Sequence, residues 1–240
     1  MTQNLDTNSR EEDLRLKELA TNLNQVESLI SDACGSADRL RESVTLIAVT
    51  KTYPATDVAK LATLGVINFG ENRSNEGAEK SAQVKGTWHF QGQIQGNKIG
   101  SIAQWADVVH SLDRSDHARK FDRSRGEINQ GKLSVFLQVS LDSDPARSGV
   151  AGDELFTLAN SVVELAHLNL MGLMCVPPVT LEPDRAFADL AILHERFKAS
   201  YPMAQSLSAG MSGDFSIAIS HGATHVRIGS QILGPRALNP

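Results

Sequence analysis

The sequence has few of the residues that mark disulfide-rich, metal-binding or membrane-spanning proteins. Its 240 residues include two cysteines, Cys34 and Cys175, and no CxxC or His-rich spacing accompanies them. This argues against a disulfide framework and gives no support for a metal site. No apolar run approaches the length of a membrane span, and the polar, acidic N-terminus does not resemble a signal peptide. We therefore expect a cytoplasmic protein that does not contact a membrane.

Positive charge is also scarce. Lys and Arg number 23 against 28 Asp and Glu, so the formal net charge is −5. A protein that covers nucleic acid needs a broad basic surface, and this balance argues against such a partner. A small anion remains compatible with it, because one pocket can be positive inside an acidic protein.

The chain does contain a regular alternation of short apolar runs and amphipathic segments. The runs are rich in β-branched residues, which is typical of strands buried on both faces of a parallel sheet. We predict strands at residues 44–50, 66–71, 87–92, 107–112, 132–141, 168–176, 205–210 and 224–229. Eight strands alternating with helices favour a closed (β/α)8 barrel of the TIM-barrel class. A doubly wound α/β sheet is the alternative, but no GxGxxG follows the first strand.

Residues 1–40 precede the first strand and have a helical pattern, with Ser9 and Glu12 as a capping box near its start. One apolar stripe runs along this helix, formed by Leu16, Leu19, Leu23, Val26, Ile30 and Ala33. Only about ten residues follow the last strand, so the eighth helix is short or absent. We expect a single domain over residues 1–240, in which the N-terminal helix packs on a barrel of residues 44–236.

Functional residues of such barrels collect at the carboxyl ends of the strands. Lys51 ends the first strand, where a lysine is costly to desolvate unless it has a partner or a function. Desolvation lowers the pKa of a lysine, and its neutral amine can then attack a carbonyl. From position alone, this role is no better supported than a lysine that reaches solvent or pairs with Glu71.

Two glycine-rich loops follow the seventh and eighth strands, LSAGMSGD at 207–214 and RIGS at 227–230. Their glycines let backbone N–H groups approach an anion, and Ser208 and Ser212 add hydroxyl donors. Barrels commonly hold phosphate in these two positions. Glycines that only make tight turns are the alternative, but two such loops side by side favour phosphate.

Three further residues have more than one interpretation. Arg227 can contact phosphate, face a flat heteroaromatic ring, or pair with a carboxylate such as Asp214. His89 is either a ring that stacks in the barrel mouth or a core histidine, and Asn72 is either a turn residue or a ligand contact. A lysine amine, a phosphate cradle and a planar-ring contact fit pyridoxal 5′-phosphate (PLP), but they also fit a Schiff-base aldolase for sugar phosphates.

The sequence resembles the PLP homeostasis proteins, also called YggS-like proteins or proline synthetase co-transcribed homologues. The resemblance covers residues 44–236 and is carried by AVTKTYP (48–54), FGENR (69–73), WHFQGQIQGNK (88–98), HSLDR (110–114), LMGLMCVPP (170–178), LSAGMSGD (207–214) and VRIGSQILGPR (226–236). The sequence departs from the family pattern at Arg147, Ala209 and Ser216, and these changes leave Lys51 and the phosphate loops intact.

The resemblance implies a barrel similar to the N-terminal domain of alanine racemase, with PLP held as a Schiff base on Lys51. The other implied pocket positions are Asn72, Ser208, Met211, Arg227, Gly229 and Ser230, to which we add His89 and Gly210. Arg227 would face the pyridine nitrogen, while Ser208, Gly229 and Ser230 would lie near the phosphate.

A racemase needs two bases, and in alanine racemase the second comes from another domain, which this sequence does not include. Tyr53 is a possible substitute, whereas Tyr201 is expected at the wrong end of the barrel. An arginine at the pyridine nitrogen also disfavours carbanion chemistry. We therefore expect a non-catalytic, monomeric protein that stores or delivers PLP, with PLP-dependent apoenzymes as candidate recipients. A PLP-dependent amino-acid racemase of low activity is the alternative.

Overall fold

A computed structural model describes residues 2–142, 144 and 147–235, with the backbone alone for residues 2–9. Eight parallel strands close into one barrel in the order of the sequence. They are β1 (Thr45–Val49), β2 (Asn68–Glu71), β3 (Thr87–Phe90), β4 (Val108–Leu112), β5 (Leu133–Val139), β6 (Leu168–Cys175), β7 (Ser206–Met211) and β8 (His225–Ile228). Each lies within two residues of its predicted bounds, so the predicted barrel is confirmed.

Helices cover the outside of the barrel. They are α1 (Thr2–Ser36), α2 (Ala55–Thr63), α3 (Ser74–Gln83), α4 (Ile99–Trp105), α5 (Ser115–Ile128), α6 (Asp153–Val163), α7 (Pro183–Ser200), α8 (Phe215–Ser220) and α9 (Ser230–Leu233). Strand β4 is buried at all five positions, because one face of each strand fills the barrel and the other is covered by helices. Across the described residues, no helix is both long and apolar enough to span a lipid bilayer.

The long helix α1 occupies the space beside the short α9. Its buried side chains Leu19, Leu23, Val26 and Ile30 belong to one apolar cluster with Phe215, Ile219, Ile232 and Leu233. The helix begins at Thr2, so Ser9 lies inside it and the predicted start at a capping box was wrong. Helical hydrogen bonding simply continues through the polar segment that precedes the apolar stripe.

Polar contacts fasten α1 to the two helices that follow β1 and β8. The Arg15 guanidinium donates to Asp57 Oδ2 at 2.7 Å and to the Leu233 carbonyl at 3.0 Å. Asn22 Nδ2 donates to the Ile232 carbonyl at 3.0 Å. These bonds link α2 to α9 across the closure of the barrel. The expected single domain over residues 1–240 includes residues outside the described ones, Arg236 among them, and stays a prediction.

The closure brings three strand ends together. Strand β8 pairs with β1 on one side, where Arg227 lies opposite Ile47, and with β7 on the other, where Arg227 lies opposite Met211. The segments that follow β1, β7 and β8 therefore meet at one point of the barrel rim.

Candidate functional site

Lys51 lies in a turn at the carboxyl end of β1. The next residue, Thr52, has a φ of 71°. This left-handed conformation costs a non-glycine residue about 1–3 kcal/mol. Two hydrogen bonds hold the turn: the Thr52 N–H donates to Glu76 Oε2 at 2.8 Å, and the Tyr53 N–H donates to the Thr50 carbonyl at 3.1 Å. They fix the direction in which the chain leaves β1, and with it the position of Lys51.

A group of four residues, which we call the Lys80 cluster, supports this turn; Lys80, Glu71 and Thr50 are buried and Glu76 is partly exposed. Lys80 Nζ donates to Glu71 Oε1 at 2.6 Å, to the Thr50 carbonyl at 2.8 Å and to Glu76 Oε2 at 3.3 Å. Thr50 Oγ1 donates to Glu71 Oε1 at 2.6 Å. The sequence offered Glu71 as a partner for Lys51, but its carboxylate is bonded to Lys80 and Thr50.

The ionisation of this cluster follows from its burial. The side chains of Lys80 and Glu71 are 6% and 0% exposed. Burial raises the pKa of Glu71, and the hydrogen bonds from Lys80 and Thr50 oppose that shift. Burial also acts to raise the pKa of Glu76, but the bond from the Thr52 N–H and the charge of Lys80 bring it below its usual value. Lys80 therefore opposes the rise in pKa that burial causes at both carboxylates.

Arg227 is a buried cation next to the Lys51 turn. Its Nη1 donates to Ser208 Oγ at 2.8 Å and its Nη2 donates to the Cys175 carbonyl at 3.0 Å. Burial lowers the pKa of Arg227 to about 10 and raises the pKa of the Cys175 thiol to about 12. At neutral pH the guanidinium is charged and the thiol is not. The Asp214 carboxylate, which the sequence offered as a partner for Arg227, accepts the Met211 N–H at 2.6 Å.

The two glycine-rich loops meet through their serines. The hydroxyl oxygens of Ser230 and Ser212 lie 3.4 Å apart, and Gln231 Nε2 donates to the Ser212 carbonyl at 2.8 Å. A Cβ at Gly229 would lie 3.1 Å from the Val49 carbonyl oxygen, which is a tight contact. Glycine therefore lets the loop after β8 pass close to the end of β1.

These elements enclose a cavity of about 300 Å³ at the carboxyl end of the barrel. Six of the nine predicted cofactor contacts line it, namely Lys51, Asn72, Met211, Arg227, Gly229 and Ser230. Ser212, which the sequence suggested as a hydroxyl donor, lines it as well. The topology thus brings together an amine, a guanidinium and two hydroxyl-bearing loops around one space.

The other three predicted contacts lie behind the cavity wall. His89 is 2% exposed and its ring bonds to Asn68 and His110 inside the barrel, which is the core-histidine interpretation. Ser208 is fully buried and accepts a hydrogen bond from Arg227, which lines the cavity. Gly210 has a φ of 93°, and a Cβ there would point at α8, 2.8 Å from the Ala218 Cβ. These three do not line the cavity, and the expectation that they contact a cofactor directly stays a prediction.

Some lining residues were missed by reasoning from the sequence. Gln91 follows β3 directly, so its place at a strand end was a usable signal. Its Nε2, like Asn72 Oδ1, is buried without a hydrogen-bond partner among the described residues. Met174 and Val176 give the cavity an apolar side. Unpaired buried amide atoms beside an apolar wall are typical of a binding site for a flat ligand that carries polar groups.

Comparison with known proteins now decides the family. The family model described as alanine racemase, N-terminal domain, matches residues 15–237. A pyridoxal phosphate homeostasis protein of Mycobacterium leprae is 39% identical over 244 residues, which cover 93% of this chain and 95% of that protein. The chain belongs to the pyridoxal phosphate homeostasis protein family. The predicted resemblance is confirmed.

Solved structures share the barrel of this family. PipY of Synechococcus elongatus PCC7942 with PLP bound matches with a TM-score of 0.78 at 30% identity, over 90% of this chain and all of that one. An alanine racemase of Clostridium difficile 630 matches with a TM-score of 0.69 at 15% identity, over 90% of this chain and 56% of that one. The second likeness concerns the fold alone.

The Lys80 cluster generates a prediction about stability. Lys80→Met leaves the Glu71 carboxylate buried without its cation, so the free energy of unfolding should fall by about 3–5 kcal/mol in urea denaturation at neutral pH. Lys85→Met, at an exposed lysine close by, is the matched control and should change it by less than about 0.5 kcal/mol. Adding Glu71→Gln to Lys80→Met should restore part of the loss. A Lys80→Met protein as stable as the wild type would contradict this account.

Proposed function

We propose that this protein binds PLP, held as a Schiff base on Lys51, and stores or delivers it for PLP homeostasis in the cytoplasm. The observation that carries the proposal is that Lys51, Arg227 and the hydroxyls of Ser212 and Ser230 line one cavity. The relatives support it, since the M. leprae protein is named for PLP homeostasis and the PipY structure contains PLP.

The residues present fit the chemical groups of PLP. Lys51 would hold the cofactor: its amine, once deprotonated, would add to the aldehyde carbon with loss of water, so that a C=N bond would replace the C=O bond. The loops with Ser212 and Ser230 suit the phosphate, because hydroxyls and closely approaching backbone N–H groups are good phosphate donors. The unpaired amide atoms of Asn72 and Gln91 suit the polar substituents of the ring. A volume of about 300 Å³ is at the small end of the range for ligand sites, as a single small cofactor requires.

The test of the cofactor site is a visible spectrum of the purified protein with PLP, before and after borohydride reduction. We expect a yellow band that borohydride bleaches, with the reduced adduct mapped to Lys51 by peptide mass spectrometry. Lys51→Ala should lose the band.

Lys98→Ala is the matched control, since this lysine lines a separate cavity near the same rim, and it should keep the band. A wild type without a band, or an adduct on a different lysine, would refute the assignment of Lys51. The phosphate loops would then serve another ligand, such as the sugar phosphate of an aldolase.

A carrier fits this site better than an amino-acid racemase. A guanidinium can only donate to the ring nitrogen of PLP, so Arg227 keeps that nitrogen unprotonated and the ring becomes a weak electron sink. Tyr53, the candidate second base, lines the cavity, but its hydroxyl donates to the Gly234 carbonyl at 2.6 Å. The Tyr201 hydroxyl donates to Asn160 Oδ1 at 2.7 Å, on helix α6 outside the barrel. A monomer that hands PLP to apoenzymes is the form of the proposal that we favour.

An assay of alanine racemisation distinguishes a PLP carrier from an amino-acid racemase. PLP-loaded protein should interconvert L- and D-alanine no faster than the same concentration of free PLP, measured by chiral chromatography. Saturable turnover that disappears in Lys51→Ala would contradict the carrier. If Tyr53→Phe also abolished this turnover, Tyr53 would be identified as the second base of a racemase.

A further inference from the structure

A chain of buried polar side chains runs from Arg227 down the interior of the barrel. Ser208 Oγ lies 2.8 Å from Arg227 Nη1 and 2.9 Å from His110 Nδ1. His110 Nε2 lies 2.8 Å from His89 Nδ1, and His89 Nε2 lies 3.1 Å from Asn68 Oδ1. We call these five residues the histidine chain. It links a residue of the cavity wall to the first residue of β2, at the opposite end of the strands.

The hydrogen bonds of the histidine chain can point in only one direction. Asn68 Oδ1 can only accept, so His89 carries its hydrogen on Nε2 and donates it there. With both rings neutral, His89 Nδ1 then accepts from His110 Nε2, which leaves His110 Nδ1 as an acceptor for the Ser208 hydroxyl. Ser208 Oγ in turn accepts from Arg227, because a guanidinium has no acceptor. The Asn68 end of the chain thus sets the tautomer of each ring.

The two rings are held in this state by their surroundings. Burial lowers the pKa of His89 to about 3, and burial with the nearby charge of Arg227 keeps the pKa of His110 well below its usual value. Phe136 stacks on His110 with ring centroids 4.5 Å apart, which fixes the plane of that ring. Neither ring gains a proton near neutral pH, so the direction of the chain does not reverse.

The histidine chain fixes the orientation of the Arg227 guanidinium. Ser208 Oγ and the Cys175 carbonyl each take one N–H, on the two different Nη atoms, and this fixes the plane of the guanidinium. The N–H groups outside these two bonds remain for a ligand in the cavity that Arg227 lines. A long side chain that is ordered before the ligand arrives loses less conformational entropy on binding.

We propose that Ser208, His110 and His89 are positioning residues, which hold Arg227 in one orientation toward the ring nitrogen of bound PLP. They act through Arg227 and do not touch the cofactor. The inference rests on the proposed function, because it concerns how the same site receives PLP. The competing explanation is that the chain only satisfies two histidines buried in the core.

The first measurement is PLP affinity in Ser208→Ala, which removes the acceptor for Arg227 Nη1. Loss of one hydrogen bond to a charged group should weaken PLP binding about tenfold. In ¹⁵N-labelled PLP, the ring-nitrogen resonance should move away from its wild-type position. Ser206→Ala removes a hydroxyl from the same strand outside the histidine chain, and should leave both values unchanged. Wild-type affinity and an unmoved resonance in Ser208→Ala would overturn the proposal.

The second measurement asks whether Ser208 acts through Arg227. In an Arg227→Met background, Ser208→Ala should change PLP affinity less than twofold, because the side chain that it positions is gone. An equal loss in both backgrounds would mean that Ser208 acts independently, and would also overturn the proposal.

A failure of the proposed function is distinguishable from these outcomes, because the wild type itself would then form no reducible adduct on Lys51. If Ser208→Ala does not fold, His110→Phe takes its place. It keeps an aromatic ring against Phe136 but removes the acceptor for the Ser208 hydroxyl. It should move the ring-nitrogen resonance in the same direction, and an unmoved resonance would count against the proposal.

Discussion

The pairing of β8 with β1 is the constraint on which the rest of the structure depends. It closes the barrel and places the turn that carries Lys51 next to the strand that carries Arg227. Helix α1 protects this closure, because its apolar stripe covers the gap beside the four-residue α9 and its Arg15 links α2 to α9. Without the closure, the amine, the guanidinium and the serine loops would lie at separate edges of an open sheet.

Two buried cations organise the closed rim in different ways. The single charge of Lys80 is shared between the carboxylates of Glu71 and Glu76 next to the strained Lys51 turn, so it is used within the protein. Among the described residues, Arg227 donates to a hydroxyl and a carbonyl, and the Asp214 carboxylate acts on it through its charge without a hydrogen bond. A buried charge that is not directly paired is costly, and an anionic cofactor in the cavity lowers that cost. The positive charge of Arg227 beside the cavity therefore favours an anionic ligand such as PLP.

The sequence predicts the barrel well because strands buried on both faces leave a clear apolar signal, and strand ends then identify Lys51, Asn72 and the serine loops. It does not predict which polar residues lie one layer below the cavity. His89 and Ser208 belong to segments that match the family, yet the pleat of their strands directs them into the core. Lys80 gave no signal, since a lysine on an amphipathic helix normally faces solvent and its burial depends on the neighbouring β1 turn.

The measurement that tests this account most directly is a crystal structure of the protein with PLP. The account predicts a covalent bond from Lys51 Nζ, the phosphate between Ser212 and Ser230, and the ring nitrogen within hydrogen-bond distance of an Arg227 still bonded to Ser208. PLP with its phosphate on Arg227, or in the separate cavity beside Lys98, would contradict it.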